Sequence, residues 1–431
     1  MPDKFSGYPR FMNRGFYTIM AAQFFSSLAD NALLFVAIDL LVNMKSPGWI
    51  TPLLKLSFTL FYVLLAAFVG AFADSMPKGK VMFISNLIKV GGCLLIFAHV
   101  HPLLAYAIVG FGAAVYSPAK YGILTELLPA EKLVAANGWV EGLTVLSIIF
   151  GTVMGGALVG GRVSGFLLGF DMPLIDTGIE TPTQAALCVV VGIYMLAALF
   201  NTRIPDTGCV YGHQERNPVK LISDFSNCFS MLWKDKLGQI SLGVTTLFWG
   251  AAQTLQFIVL EWANRTLHLS YEQSTSLVGV VAIGVAAGAV ISARFVSLRK
   301  SLSVIPVGIA MGVIVMCMTM VNSVKVAYPL LILVGLLGGF FLVPMNALLQ
   351  HRGHVLMSAG HSIAVQNFNE NLSILTMLAM YSLMLRAHLN LDVIILLFGL
   401  FLAGTMLYIM RRHQANQREF DSVALIGEAK H

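Results

Sequence analysis

The 431-residue sequence predicts an all-α membrane protein of about twelve transmembrane helices, and three observations predict it. Hydrophobic residues make up 57% of the chain and charged residues only 11%, so lipid rather than water must surround most of it. Apolar stretches long enough to cross a ~30 Å hydrocarbon core recur along nearly the whole length, and lipid obliges each to close its own backbone hydrogen bonds as a helix. A polar segment near the middle separates six of these stretches from the other six. Strands of an outer-membrane barrel would instead alternate over ~10 residues.

The expected spans are 14–43, 52–74, 81–99, 102–126, 133–161, 185–203, 238–264, 272–293, 302–322, 327–350, 358–387 and 391–410. They divide the chain into an N-terminal half (1–203), a polar central linker (204–237), a C-terminal half (238–412) and a tail (413–431). A second break in the rhythm of short loops is the Gly-rich connection 160–184.

Orientation follows from Lys and Arg. One side collects Lys78, Lys80, Lys132, Arg203, Lys220, Lys234, Lys236, Arg294, Arg299, Lys300, Arg352, Arg411 and Arg412, while the other holds only Lys45, Lys55, Arg162, Arg265, Lys325 and Arg386. The basic side is expected to be cytoplasmic, with both termini on it, in a bacterial inner membrane. The net charge of +6 is spread over these short loops, which argues against a nucleic-acid partner. The first apolar run is longer than a signal-peptide core, so it is expected to stay in the protein. The five cysteines lie singly, without a C-x-x-C pair or a nearby His, and read as packing residues rather than disulfides or a zinc site.

The halves resemble each other weakly. VGFGAAVYSPAKYGIL in the fourth span aligns with VGLLGGFFLVPMNALL in the tenth, which sets Pro118 opposite Pro344 and Lys120 opposite Asn346. The first and seventh spans pair Phe25 with Phe248 and Asp30 with Gln253. Such internal repetition is the mark of a transporter whose two bundles meet at a central site.

Ionisable groups inside spans carry the functional signal, because each costs ~2.5–3.5 kcal/mol at the bilayer centre and faces a water-filled path or a partner. Asp30 lies ~24 Å of helix beyond the start of the first span, past the midplane. Glu370 is at comparable depth, and Asn367, Glu370 and Asn371 share one helix face, a polar stripe that lipid does not tolerate. Lys120 follows Pro118, whose bend would aim it into a cavity. Asp39, Lys89 and Glu261 read as interfacial or snorkelling charges. Asn137 and Glu141 form an i, i+4 pair near the basic side, where Glu141 reads equally as part of a gate or as a helix-end charge. His351, His354 and His361 lack the carboxylate spacing that a membrane-embedded acyltransferase would need, so the chain reads as no enzyme.

The loop GAFADSMPKGK, with Gly70, Asp74, Gly79 and Lys80, resembles the signature between the second and third helices of the major facilitator superfamily. That resemblance implies the superfamily fold of two pseudo-symmetric six-helix halves. ADNALLF (29–35), YSPAKYGIL (116–124), GGFFLVPMNALLQHRG (338–353) and AVQNFNEN (364–371) look more narrowly like signatures of bacterial lysophospholipid transporters. The likeness covers roughly 14–412, although the connection 160–184 is longer than in the family and His361 stands where Asn is expected.

The resemblance implies a flippase that carries lysophosphatidylethanolamine and related lysophospholipids from the outer to the inner leaflet. It also implies sodium-associated transport without any other cofactor, and a separate acyltransferase/acyl-carrier-protein synthetase that restores the missing chain. The residues suit such cargo: Lys120 as a point charge for phosphate with Asn346 and Gln253 as amide partners, and Asp30 with Asn31 for the ammonium or a sodium ion. Glu370 with Asn367 and Asn371 is the competing sodium site, since oxygen ligands suit a hard cation. A coupled exporter of drugs or amphiphiles would share the fold, and only the narrower signatures separate it from a lysolipid carrier.

Overall fold

The computed structural model describes residues 14–127, 130–168, 179, 181–208, 217–357 and 359–426. The N-terminal half consists of α1 (Arg14–Asn43), α2 (Thr51–Leu64), α3 (Ala66–Asp74), α4 (Lys78–Phe97), α5 (Pro102–Leu127), α6 (Ala130–Val159), the short α7 (Gly161–Leu168) and α8 (Pro182–Thr202). The linker contributes α9 (Pro218–Lys234). The C-terminal half consists of α10 (Gly238–Arg265), α11 (Tyr271–Phe295), α12 (Ile305–Met316), α13 (Val324–Leu356), α14 (Ala359–Arg386) and α15 (Leu391–Glu419).

Ten helices among the described residues are long and apolar enough to cross a membrane, and the bent pair α2–α3 makes an eleventh crossing. α14 completes the twelve expected spans: its 28 residues reach ~42 Å, and its polar face makes it less apolar than the others.

One span departs from expectation. The stretch 52–74 is not a continuous helix but turns by 68° at Leu65. Leu65 leaves the helical region (φ −103°, ψ 3°), although no Gly or Pro lies between 53 and 69. Tertiary packing supplies the reason, because α3 turns aside to lie against α5, α14 and α9. Conversely, α5 runs unbroken through Pro118 and α13 through Pro329 and Pro344.

The contacts obey a two-fold rule. Within the first half α1 packs on α6, α2 on α5 and α4 on α8; within the second α10 packs on α14, α11 on α13 and α12 on α15. Each pair in one list becomes its counterpart when six spans are added. Between the halves α2 meets α14 and α6 meets α11, and the same operation exchanges these two interfaces. The α11–α13 contact is backbone on backbone, since a Cβ on Gly284 or Gly288 would fall on the chain of α13, and one on Gly335 or Gly339 on that of α11.

Helix ends away from the basic side are finished by their own sequence. Thr181 with Gln184 and Ser270 with Gln273 form capping boxes that open α8 and α11. Lys45, His99, His268 and His388 take left-handed φ near +54° to +58° just beyond α1, α4, α10 and α14. There they close the last turns with bonds such as Ser46 N–H to Leu41 C=O at 3.0 Å.

Candidate functional site

In the first half the charged centre is a pair. Lys89 Nζ donates to Asp30 Oδ2 at 2.7 Å and to Ser26 Oγ at 3.0 Å, and Tyr194 OH donates to Asp30 Oδ1 at 2.7 Å. Tyr106 OH reaches the Asp30 carbonyl at 3.2 Å, and Ser26 Oγ donates to Asn86 Oδ1 at 2.7 Å. The rings of Tyr116 and Tyr194 lie 5.1 and 5.6 Å from the ammonium. The Lys89 side chain is 1% exposed and that of Asp30 18%, so the carboxylate alone retains an opening.

This corrects the reading of Lys89 as a snorkelling charge. It sits eleven residues inside α4, ~17 Å from the helix start, too deep for its side chain to reach the basic end. An opposite charge and a hydroxyl within reach offset its desolvation instead. Asn31 does not join the group: its Nδ2 donates to the Ser27 carbonyl at 2.8 Å.

The second half builds its site from amides. Gln366 Nε2 donates both to Asn346 Oδ1 at 3.1 Å and to Glu370 Oε1 at 2.8 Å. Glu370 and Asn346 are buried, and they border a cavity of about 30 Å³ together with Gln350, Gln366, Trp249 and, from the first half, Tyr121.

The polar stripe of α14 thus divides three ways. Glu370 accepts from Gln366 Nε2 one turn earlier on the same helix at 2.8 Å, Asn367 Nδ2 crosses to Ser117 Oγ of α5 at 3.1 Å, and Asn371 Nδ2 bonds the Asn367 carbonyl at 2.7 Å. Asn369 accepts from Trp233 Nε1 of the linker helix at 3.1 Å. On α10, Gln253 has a buried Oε1 without a hydrogen-bond partner, as has Gln256 at Nε2.

Lys120 is half-buried on α5, its Nζ 4.3 Å from the ring centroid of Tyr121. Tyr121 in turn borders the Glu370 cavity, while the cation bonded to Asp30 is Lys89. Residues that sequence reasoning missed are Lys89 as partner, Tyr194, Tyr106, Ser26 and Gln366. Gln366 lay one turn from Glu370 on the same face and was legible from spacing; the tyrosines carry no sequence signal of their own.

At the basic end, Gly79 allows close approach, since a Cβ there would stand 3.0 Å from Ile204 Cβ and 3.1 Å from the Asn201 carbonyl. Gly79 and Lys80 border a cavity of about 260 Å³ with Phe83, Ile204 and Asp206. Gly70 faces open space, so no close packing requires glycine there. The side chains of Asp74, Asn137 and Glu141 lie outside the described residues. Arg352 clamps Asp235 through Nε at 3.1 Å and Nη2 at 2.6 Å, and Asp235 Oδ2 also accepts from the Leu237 and Gly238 amides at 3.2 and 2.7 Å. At the opposite end the halves touch where Ser382 Oγ donates to the Trp49 carbonyl at 2.6 Å and Arg386 lies 5.2 Å over the Trp49 ring.

Two exchangeable six-helix bundles enclosing buried charges and amides are the architecture of a major facilitator superfamily transporter, and the profile of the Major Facilitator Superfamily matches residues 16–376. A bacterial homolog of the human lysosomal transporter Spinster superposes in its inward-facing unoccupied form with a TM-score of 0.65 at 14% identity, covering 95% of this chain and 99% of that one. Its inward-facing occupied form gives 0.63 at 14%, covering 97% and 99%. The lysophospholipid transporters LplT of Yersinia pestis (strain Pestoides F) and Yersinia pseudotuberculosis serotype O:3 (strain YPIII) are each 39% identical over 376 residues, 87% of this chain and 88% of theirs. The chain belongs to this family of bacterial lysophospholipid transporters within the superfamily.

Proposed function

We propose that this protein moves lysophospholipids, lysophosphatidylethanolamine among them, from the outer to the inner leaflet of the cytoplasmic membrane by sodium-coupled alternating access. The buried Asp30–Lys89 pair carries the reading, because a membrane interior holds a pair of full charges where charged cargo must pass, and this head group is itself a phosphate with an ammonium. The basic end is cytoplasmic in this reading, by the excess of Lys and Arg.

The ammonium approaches the opening at Asp30, while Lys120 attracts phosphate from the side of Tyr121, with Asn346 and Gln253 as neutral hydrogen-bonding partners. The acyl chain needs only a lateral apolar path, and it stays in lipid while the halves rock about the α2–α14 and α6–α11 interfaces. Bringing the chain to the inner leaflet delivers it to a separate acyltransferase/acyl-carrier-protein synthetase.

The test is uptake of labelled lysophosphatidylethanolamine by spheroplasts lacking their own importer, with sodium present or replaced by choline. Sodium-dependent uptake and re-acylation are expected. Absence of uptake by correctly inserted protein would refute the reading and favour export of drugs or other amphiphiles on the same fold.

A further inference from the structure

Lys55 points into the first half rather than out of it. It lies four residues beyond the start of α2, ~6 Å of helix in from the end away from the basic side, where a lysine easily snorkels. Side chains on a helix lean toward its N-terminus, so snorkelling would carry the ammonium back over Thr51 to the outer interface. Instead Lys55 is half-buried, and its Nζ stands 4.8 Å from the ring centroid of Phe58, one turn deeper. The Phe58 ring is 5.0 Å from that of Tyr106, whose OH reaches the Asp30 carbonyl, so the ammonium is turned toward the charged centre.

No described carboxylate neutralises it. Among the described residues Lys55 has no ion pair and no hydrogen bond, and Asp30 is the carboxylate whose charge reaches it. Both oxygens of Asp30 are already bonded, by Lys89 Nζ and Tyr194 OH, each at 2.7 Å. Asp39, near the same end of α1, holds Asn43 Nδ2 at 3.0 Å. α2 packs on α5 and α14, and the only carboxylates of those two helices are Glu126, at the basic end, and Glu370, ~24 Å of helix from the outer end of α14. Two ammonium groups, Lys55 and Lys89, thus stand against one carboxylate, with one positive charge in excess.

We infer that Lys55 is the residue that first receives the cargo's phosphate, from the outer side, before that phosphate passes inward to Lys120. A phosphodiester monoanion supplies the one negative charge that the cluster lacks, and an ammonium serves it as a point-charge donor. The fold has already met the cost of taking this cation out of water, so an arriving phosphate gains the full attraction. Phosphate is the part of the head group that phosphoethanolamine and phosphoglycerol lysolipids share, whereas only the first brings an ammonium for Asp30. This inference rests on the reading of lysophospholipid as cargo.

The experiment measures binding of radiolabelled lysophosphatidylglycerol to the purified full chain in dodecyl maltoside, with monoacylglycerol of the same acyl chain as the second ligand. The first ligand carries a phosphate and no ammonium, which isolates Lys55 from Asp30; the second carries neither. Lys55→Met keeps the length of the side chain and removes its charge. It should weaken lysophosphatidylglycerol binding by about tenfold or more and monoacylglycerol binding by under about twofold. Lys55→Arg keeps the charge and should stay within about threefold of wild type for both, which separates a lost charge from a damaged fold. Equal weakening of both ligands, unchanged lysophosphatidylglycerol binding in Lys55→Met, or a loss in Lys55→Arg as large as in Lys55→Met overturns the proposal. In spheroplasts, Lys55→Met should raise the half-saturating external lysophosphatidylglycerol by about tenfold and leave the maximal rate within about twofold. A lower maximal rate at unchanged half-saturation would overturn the outer placement. Binding that depends on Lys55 in a wild-type protein that takes up no lysolipid would refute the transport reading and leave the phosphate site standing.

Discussion

Lys89 and Asp30 stand 59 positions apart in the sequence and meet at 2.7 Å inside the first half, where the lysine side chain is 1% exposed. Removing one member of such a pair leaves a buried charge without compensation. Lys89→Met should therefore destabilise the protein by about 3–5 kcal/mol, seen as a lower melting temperature in detergent. The double variant Asp30→Asn, Lys89→Met should recover most of that loss. If the pair also receives the head group, uptake stays absent in the double variant despite its restored stability; uptake that returns would make the pair purely structural.

Much of the architecture was legible because lipid enforces it. Apolar length and the Lys/Arg imbalance gave twelve spans, and α14 was found through the polar stripe around Glu370 although it is the least apolar of them. Lys89 reads as a snorkelling charge from its local context alone, and its depth is what contradicts that reading. α1 and α4 both start at the basic end, so Asp30 lies ~24 Å in and Lys89 ~17 Å in, within reach of a lysine side chain. Lys120 lies only ~10 Å from that end on α5, far shallower than Asp30. The bend at Leu65 had no signal, since it is set by what α3 packs against and not by a Gly or Pro.

Arg352 and Asp235 fix the end of the linker helix to α13. The guanidinium makes two bonds to the carboxylate, and the same carboxylate caps the first amides of α10. Arg352→Ala should lower stability by about 3–5 kcal/mol, because Asp235 stays buried and loses its charge partner. Arg352→Lys should rescue only part of this, since an ammonium does not reproduce the paired geometry. Thermal unfolding of the three proteins in one detergent measures it, and full rescue by Lys would show that charge alone matters.

Gly339 and Gly404 are both helical glycines with opposite surroundings. A Cβ on Gly339 collides with the Val285 carbonyl of α11, whereas one on Gly404 meets nothing within 4 Å. Gly339→Leu should abolish monodisperse protein on size-exclusion chromatography by forcing α11 and α13 apart. Gly404→Ala should leave folding intact and raise stability by up to about 1 kcal/mol through helix propensity. Equal tolerance at the two sites would contradict the backbone contact between α11 and α13.

Trp49 is one point where the halves meet on the side away from the basic end. Its carbonyl accepts from Ser382 and its ring lies under Arg386, so a residue just before α2 is held by the last turns of α14. A cation–π contact of this kind is worth about 0.5–2 kcal/mol, which corresponds to a shift of roughly two- to thirtyfold between closed and open populations. Trp49→Ala keeps the carbonyl and removes the ring, so it should favour opening on this side without disturbing either bundle. A single cysteine at Asn31, in a chain whose native cysteines are replaced by Ser, would report it by its rate of reaction with a membrane-impermeant maleimide added from that side. The rate should rise with Trp49→Ala and with Arg386→Ala, and by no more in the double variant than in the stronger single one, because both remove the same contact. An unchanged rate would mean that the α6–α11 interface, where Gly156 faces Thr275, holds the closure instead.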